Sequence, residues 1–140
     1  MLKALTPNLM VENVRETVDW YHSVLGFEAQ TEVPGDDEVV FAIVRRDGVT
    51  LMFQSRTSLG SDLPSLRDLP IGASQTFYIE VDNVEELRRL VEGKARILKD
   101  LHDTFYGTRE FYFTDRNGYV LSFAQTMAQE AGGNNGEKDA

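Results

Sequence analysis

From Asn13 onward, apolar side chains recur at Val14, Val18, Tyr21 and Leu25, the spacing of one face of a helix. Asn13 can cap the start of that helix and Gly26 can end it, so the pattern predicts a helix between them. Leu5 to Val11, before it, has strand-like content. Phe27 to Val33, Val39 to Val44 and Val49 to Phe53, after it, are rich in β-branched and aromatic residues and are predicted strands. The last two are joined by Arg45-Arg46-Asp47-Gly48, where Asp-Gly is a hairpin signal. The unit is βαβββ.

The same order returns later in the chain. A shift of 70 residues superimposes Thr6, Val11, Asn13, Val14 and Glu16 on Thr76, Val81, Asn83, Val84 and Glu86. It also superimposes Phe41, Arg46, Gly48, Leu51 and Phe53 on Phe111, Arg116, Gly118, Leu121 and Phe123. One offset serving both windows means that the halves share a layout. The second half is then predicted as a strand over Gln75 to Val81, a helix from Val84 through Leu87 to Val91, and a short strand from Arg96 to Lys99. Two more strands follow, Arg109 to Thr114 and Tyr119 to Ala124, around Arg116-Asn117-Gly118. Ser55 to Gly72, with Pro64 and Pro70, reads as a connector. The expected organisation is a single α+β domain over 1–126: a first module to about residue 56, a connector over 57–73, and a second module over about 74–126. Residues 127–140, with Gly132-Gly133-Asn134-Asn135-Gly136, are expected to form a disordered tail.

Composition narrows the chemistry. The 140 residues suit one domain of ordinary size. The absence of cysteine removes disulfides, thiolate metal sites and cysteine nucleophiles together. Met1 to Pro7 lacks the apolar core of a signal peptide and no long apolar run is present, so the chain reads as cytoplasmic and without a membrane partner. A net charge of −9, from 23 acidic and 14 basic residues, with no clustered basic stripe, makes nucleic acid a poor partner and a neutral or cationic small molecule an easier one.

Three segments carry a family resemblance. Asp19-Trp20-Tyr21-His22-Ser23-Val24-Leu25-Gly26-Phe27, Tyr106-Gly107-Thr108-Arg109-Glu110-Phe111, and Asp115-Arg116-Asn117-Gly118-Tyr119 resemble the glyoxalase, bleomycin-resistance protein and extradiol dioxygenase superfamily, the vicinal oxygen chelate proteins, over about residues 5 to 125. The resemblance implies two tandem βαβββ modules forming curved mixed sheets around a cleft, with helices on the convex face, and a homodimer. Alternation along the strands then sends Thr6, Asn8, Met10, Thr50, Met52 and Gln54, and Thr76, Tyr78, Glu80, Val120, Ser122 and Ala124, toward the cleft. If the hairpin loops are even-numbered, Phe41, Ile43, Arg109, Phe111 and Phe113 join them, and a bulge reverses that last assignment.

Metal-dependent members of the family draw His or Glu ligands from the first and last strands of each module. Aligned by motif and by the repeat, those positions here are Thr6, Met52, Thr76 and Ser122, none a usual ligand of a divalent ion. No metal, no cofactor and no catalytic residue is therefore assigned. His22 reads as a solvent-edge or packing residue of the first helix. His102, placed in a loop Asp100-Leu101-His102-Asp103, reads as an ordinary loop residue or as a ligand contact. Arg109 either pairs with Glu80 or Glu110 or meets an anionic ligand group.

What remains is a set suited to binding: Tyr78, Phe111 and Phe113 as flat apolar surface, Met52 as adaptable filler, and Thr6, Asn8, Gln54, Thr76 and Ser122 as hydrogen-bonding groups, with Arg109. The expected function is metal-free binding of an aromatic or cationic drug-like compound or metabolite, as in the antibiotic-sequestering members of the family. The alternatives are a metal-dependent lyase or dioxygenase using displaced ligands such as His102, Glu80 or Glu110, and an accessory domain without chemistry of its own.

Overall fold

The computed structural model describes residues 1–72 and 74–127, so the expected tail over 128–140 lies outside the described residues. The chain divides into two compact units, Met1–Ala73 and Ser74–Ala140. Each contains a four-stranded mixed sheet built from a βαβββ module, an α+β fold.

In the first unit, β1 (Asn8–Val11) leads into α1 (Val14–Leu25), followed by β2 (Glu28–Pro34), β3 (Val39–Arg46) and β4 (Val49–Ser55). The sheet order is β1-β4-β3-β2, with β1 parallel to β4 and the other pairs antiparallel. The side chain of Asn13 accepts the Glu16 amide at 2.9 Å, and Gly26 ends α1 at φ +76°, a left-handed conformation that costs glycine little. Arg46 adds a second stop by donating to the Leu25 carbonyl at 2.8 Å. The stripe Val14, Val18, Tyr21, Val24 and Leu25 is buried, as are Leu9, Val11, Ala42, Val44, Leu51 and Phe53 of the sheet. At its centre the Tyr21 ring lies 4.9 Å from that of Phe53 and 5.5 Å from that of Phe27.

The segment read as a connector is more structured than its prolines suggest. Residues Arg56–Asp62 form α2, capped by Ser55 Oγ, which accepts the Ser58 amide at 3.1 Å. A single 3-10 turn follows at Pro64–Leu66. Arg56 ties the strand of chain beyond it by donating to the carbonyls of Arg67 (2.7 Å) and Leu69 (2.9 Å). A short helix rich in Ser and Gly has low intrinsic propensity, so the cap and these tertiary bonds hold it.

The second unit runs β5 (Thr76–Glu80), α3 (Val84–Val91), β6 (Arg96–Asp103), β7 (Thr108–Thr114) and β8 (Val120–Thr126), in sheet order β5-β8-β7-β6. Asn83 caps α3 by accepting the Glu86 amide. Val84, Leu87 and Val91 of α3 are buried, with Phe111, Phe113, Tyr119, Leu121 and Phe123 of its unit. Strand β6 is twice the predicted length and includes His102, which pairs with Glu110. The loop assignment of His102 is thereby corrected: a register irregularity between Lys99 and His102 breaks the alternation that would have revealed the strand.

The hairpins of the two units differ. In the first, Arg46 pairs with Val49 across the two-residue turn Asp47-Gly48, with Asp47 at φ +52°. In the second, Thr114 pairs with Val120 across five residues, Asp115 to Tyr119. Asp115 Oδ1 organises that loop by accepting the amides of Asn117 (2.8 Å) and Tyr119 (3.0 Å). The odd loop sets Phe111 opposite Phe123 and Phe113 opposite Leu121. Both rings are 0% exposed on the α3 side of the sheet, stacked at 5.4 Å on each other. The placement of Phe111, Phe113 and Arg109 beside Ser122 is corrected accordingly, since a one-residue difference of register turns a strand over.

Candidate functional site

In the first unit the face opposite α1 carries Asn8, Met52 and Gln54, with Phe41 opposite Gln54 and Ile43 opposite Met52. Its polar groups are already engaged. Asn8 Nδ2 donates to Gln54 Oε1 at 2.9 Å, and Gln54 Nε2 donates to Ser58 Oγ (2.9 Å) and Asp62 Oδ2 (3.0 Å) of α2. Thr6 lies before β1, half-buried.

The second unit offers more. Cross-strand register puts Tyr78, Ser122 and Tyr112 in one row on the face opposite α3, and Glu80, Ala124, Glu110 and His102 in the next, while Thr76 lies a row beyond with Val120. At the centre, Glu110 is 0% exposed. Three hydroxyls donate to its Oε2: Thr108 at 2.7 Å, Tyr106 at 2.9 Å and Tyr78 at 3.1 Å. Its Oε1 is buried with no partner, and so is the hydroxyl of Ser122. A carboxylate buried at this depth is costly unless its oxygens are met by donors.

The titration behaviour follows from these contacts. Burial pushes the Glu110 carboxyl up, but the hydrogen bonds from Thr108, Tyr106 and Tyr78, with the charge of nearby His102, outweigh it and hold the group below its ordinary value. The same contacts read from the phenols have the opposite sign. Desolvation, then the hydrogen bond and charge of Glu110, push Tyr78 up to about 12. Tyr106 is raised by its hydrogen bond to Glu110 first and by burial second.

The rim is aromatic and partly wet. Tyr78 is 50% exposed, and Phe105, at the tip of the β6–β7 connection, is 83% exposed with its ring 5.1 Å from that of Tyr106. His102 lies parallel to Tyr112 at 6.3 Å, and its Nδ1 sits 2.9 Å from the Asp100 carbonyl oxygen. Arg109 is turned away: it binds both oxygens of Asp103 (2.7 and 3.2 Å) and Glu85 Oε2 (2.9 Å). Its partners are thus neither Glu80 nor Glu110, and the charge it was expected to offer a ligand is neutralised. His22 is exposed, its Nδ1 3.0 Å from the Phe27 carbonyl oxygen.

Of the residues singled out in the sequence, Thr76, Tyr78 and Ser122 share the face that holds Glu110, and Asn8, Met52 and Gln54 share the corresponding face of the first unit. Sequence reasoning missed Thr108, Tyr106, Phe105 and Tyr112 as site residues, and it weighed Glu110 as a displaced metal ligand or as a partner of Arg109. The signal that could have found Thr108, Glu110 and Tyr112 is the length of the Asp115 to Tyr119 loop, which fixes the face of every β7 side chain.

The donor set does not suit a divalent ion. Among the described residues no three His, Asp or Glu side chains gather where they could hold one. Thr6, Met52 and Thr76 bring no carboxylate or imidazole, and Glu110 Oε2 is filled by three hydroxyls.

The profile of the Glyoxalase/Bleomycin resistance protein/Dioxygenase superfamily matches residues 3–123. The chain belongs to this superfamily. Solved structures of similar fold include proteins described by the same family name. TioX from Micromonospora sp. ML1 superimposes with a TM-score of 0.69 at 20% identity, covering 89% of this chain and 99% of its own. A glyoxalase/bleomycin resistance protein/dioxygenase from Nocardioides gives 0.72 at 18% identity, covering 96% and 91%. In sequence, the uncharacterized protein Mb0911c of Mycobacterium bovis is 24% identical over 129 residues, 90% of this chain and 85% of that one. No helix among the described residues is long and apolar enough to cross a membrane.

Proposed function

We propose that this superfamily member binds a small organic molecule without a metal ion and releases it unchanged. The observation that carries the reading is the face opposite α3, where a buried carboxylate is held ionised beneath two phenols and beside exposed rings. Apolar surface around a few placed polar groups is the make-up of a small-molecule site. The ligand is an aromatic or cationic compound, an antibiotic or a metabolite, and the protein acts as a cytoplasmic homodimer. The four positions that hold metal in the family's enzymes, Thr6, Met52, Thr76 and Ser122, support binding over turnover.

The test is a pair of measurements on protein purified without chelator. Metal analysis is expected to find well under one equivalent per chain, and added nickel, zinc, manganese or ferrous iron is expected to give no lyase turnover of a glutathione hemithioacetal and no ring cleavage of a catechol. The pairing of His102 with Glu110 favours the enzyme as the second reading. A metal-stimulated rate abolished in Glu110→Gln would establish it. Light scattering that finds only monomer at micromolar concentration would remove the dimer.

A further inference from the structure

The hydroxyl protons around Glu110 are all assigned by the geometry. An ionised carboxylate only accepts, so Tyr78, Tyr106 and Thr108 each direct their single proton to Oε2. Thr108 Oγ1 lies 2.8 Å from Thr104 Oγ1; with the Thr108 proton already used, the Thr104 proton is shared between Thr108 Oγ1 and the Thr108 carbonyl oxygen at 3.3 Å, while Thr104 Oγ1 accepts the Thr108 amide at 3.1 Å. Tyr78 Oη and Tyr106 Oη are therefore acceptors toward anything that approaches, while Glu110 Oε1 and the Ser122 hydroxyl are buried. Tyr78 and Phe105 supply exposed ring surface beside them.

We propose that Glu110 sets the polarity of this face as a positioning residue: by drawing the two phenol protons inward it leaves the Tyr78 and Tyr106 oxygens as a pair of acceptors that takes an N–H-rich cation, a primary ammonium or guanidinium carried on an aromatic ring, in preference to a carboxylate or phosphate of the same shape. The inference rests on the small-molecule reading above and sharpens it to a charge class. Its physical basis is the asymmetry of hydrogen bonding: an acceptor facing an acceptor leaves both desolvated and unpaired, whereas an ammonium has donors for both phenol oxygens. Ring faces beside the acceptors favour the same cation.

The experiment compares 1-naphthylmethylammonium with 1-naphthoate, one ring with two charges, by titration of the full-length protein at pH 7 followed through amide resonances of β5, β7 and β8. The ammonium is expected to bind about ten-fold tighter, and Glu110→Gln, whose amide donates a proton back toward the phenols, is expected to cut that preference to under about three-fold. Equal or tighter binding of the carboxylate overturns the inference and leaves the small-molecule reading standing. A preference kept intact in Glu110→Gln also overturns it, because the selection would then come from net charge alone. Failure of both probes to move these resonances overturns both readings. Should Glu110→Gln not fold, Tyr106→Phe carries the test, since it keeps the carboxylate and removes one acceptor: the preference should fall about three-fold, and an unchanged preference counts against the inference.

Discussion

Phe41 lies opposite Gln54 in the first module, whereas its repeat counterpart Phe111 lies opposite Phe123 and not opposite Ala124. The two modules share sheet order and helix caps and differ by one residue of register, which comes from a two-residue turn in one and a five-residue loop in the other. That single step exchanges the faces of a whole strand. In the first module it leaves Ala42 and Val44 on the α1 side and Phe41 half-buried opposite them; in the second it drives Phe111 and Phe113 into the core and brings Glu110 out to the other face. The polar centres diverge as a result. Gln54 is satisfied by neighbours in its own unit, while Glu110 keeps one oxygen without a partner. A duplicated fold can thus hold one face closed and make the other chemically available without changing its topology.

The sharpest test of this difference is stability. Phe111→Ala should cost about 3–5 kcal/mol, the range for a fully buried ring, and the equivalent Phe41→Ala only about 1–2 kcal/mol. Urea denaturation reads both, and equal losses would mean that the registers are the same. Next in size, Glu110→Ala should cost about 2–4 kcal/mol by stranding the Thr108 hydroxyl and both phenols, against about 1–2 kcal/mol for Gln54→Ala. The reverse ranking would move the polar centre to the first module.

A pH titration separates the modules further. Tyr78 ionises at about 12 in the folded protein against an ordinary 10.0, so between those values the folded state holds a proton that the unfolded chain has lost. Stability must then fall as pH rises through this window, and it is complete below it. Glu110 acts at the other end: its lowered value means that its contribution is present above the ordinary carboxylate range and is lost as pH falls through it. Tyr78→Phe should flatten the alkaline limb of a thermal-melt series; an unaltered limb would show that the phenol is not coupled to folding.

The shared features should respond alike. Asn13→Ala and Asn83→Ala each remove an N-cap and should each cost about 1 kcal/mol, and a gap well beyond that between them would show that the caps are not equivalent. Smallest of all, Arg109→Ala removes an exposed pairing with Asp103 and Glu85 and should cost under about 1 kcal/mol with no change in ligand affinity. A large loss of binding would return Arg109 to the site.

Much of the fold was legible because its signals are local. Asn13 and Gly26 announced the ends of α1 by local chemistry that needs no distant partner. The repeat announced the second module once the first was read. Helix α2 was not legible, since Ser55 to Asp62 has weak propensity and its anchor, Arg56, reaches residues that lie beyond the helix. Val39 to Val44 of β3 are all apolar, and β7 reads Phe111-Tyr112-Phe113, so neither shows the alternation that tells one face from the other.

By itself, then, the sequence determined the βαβββ order, its duplication and the caps of the first helix, all of which depend on residue identity at fixed spacing. The tertiary structure alone decided which face Glu110 and the β7 aromatics occupy and which hydroxyls converge on the carboxylate. The reason is that strand register is a cooperative property of loop length and paired ladders: one residue more in the Asp115 to Tyr119 connection leaves every local preference unchanged and reverses the direction of every side chain in the strand.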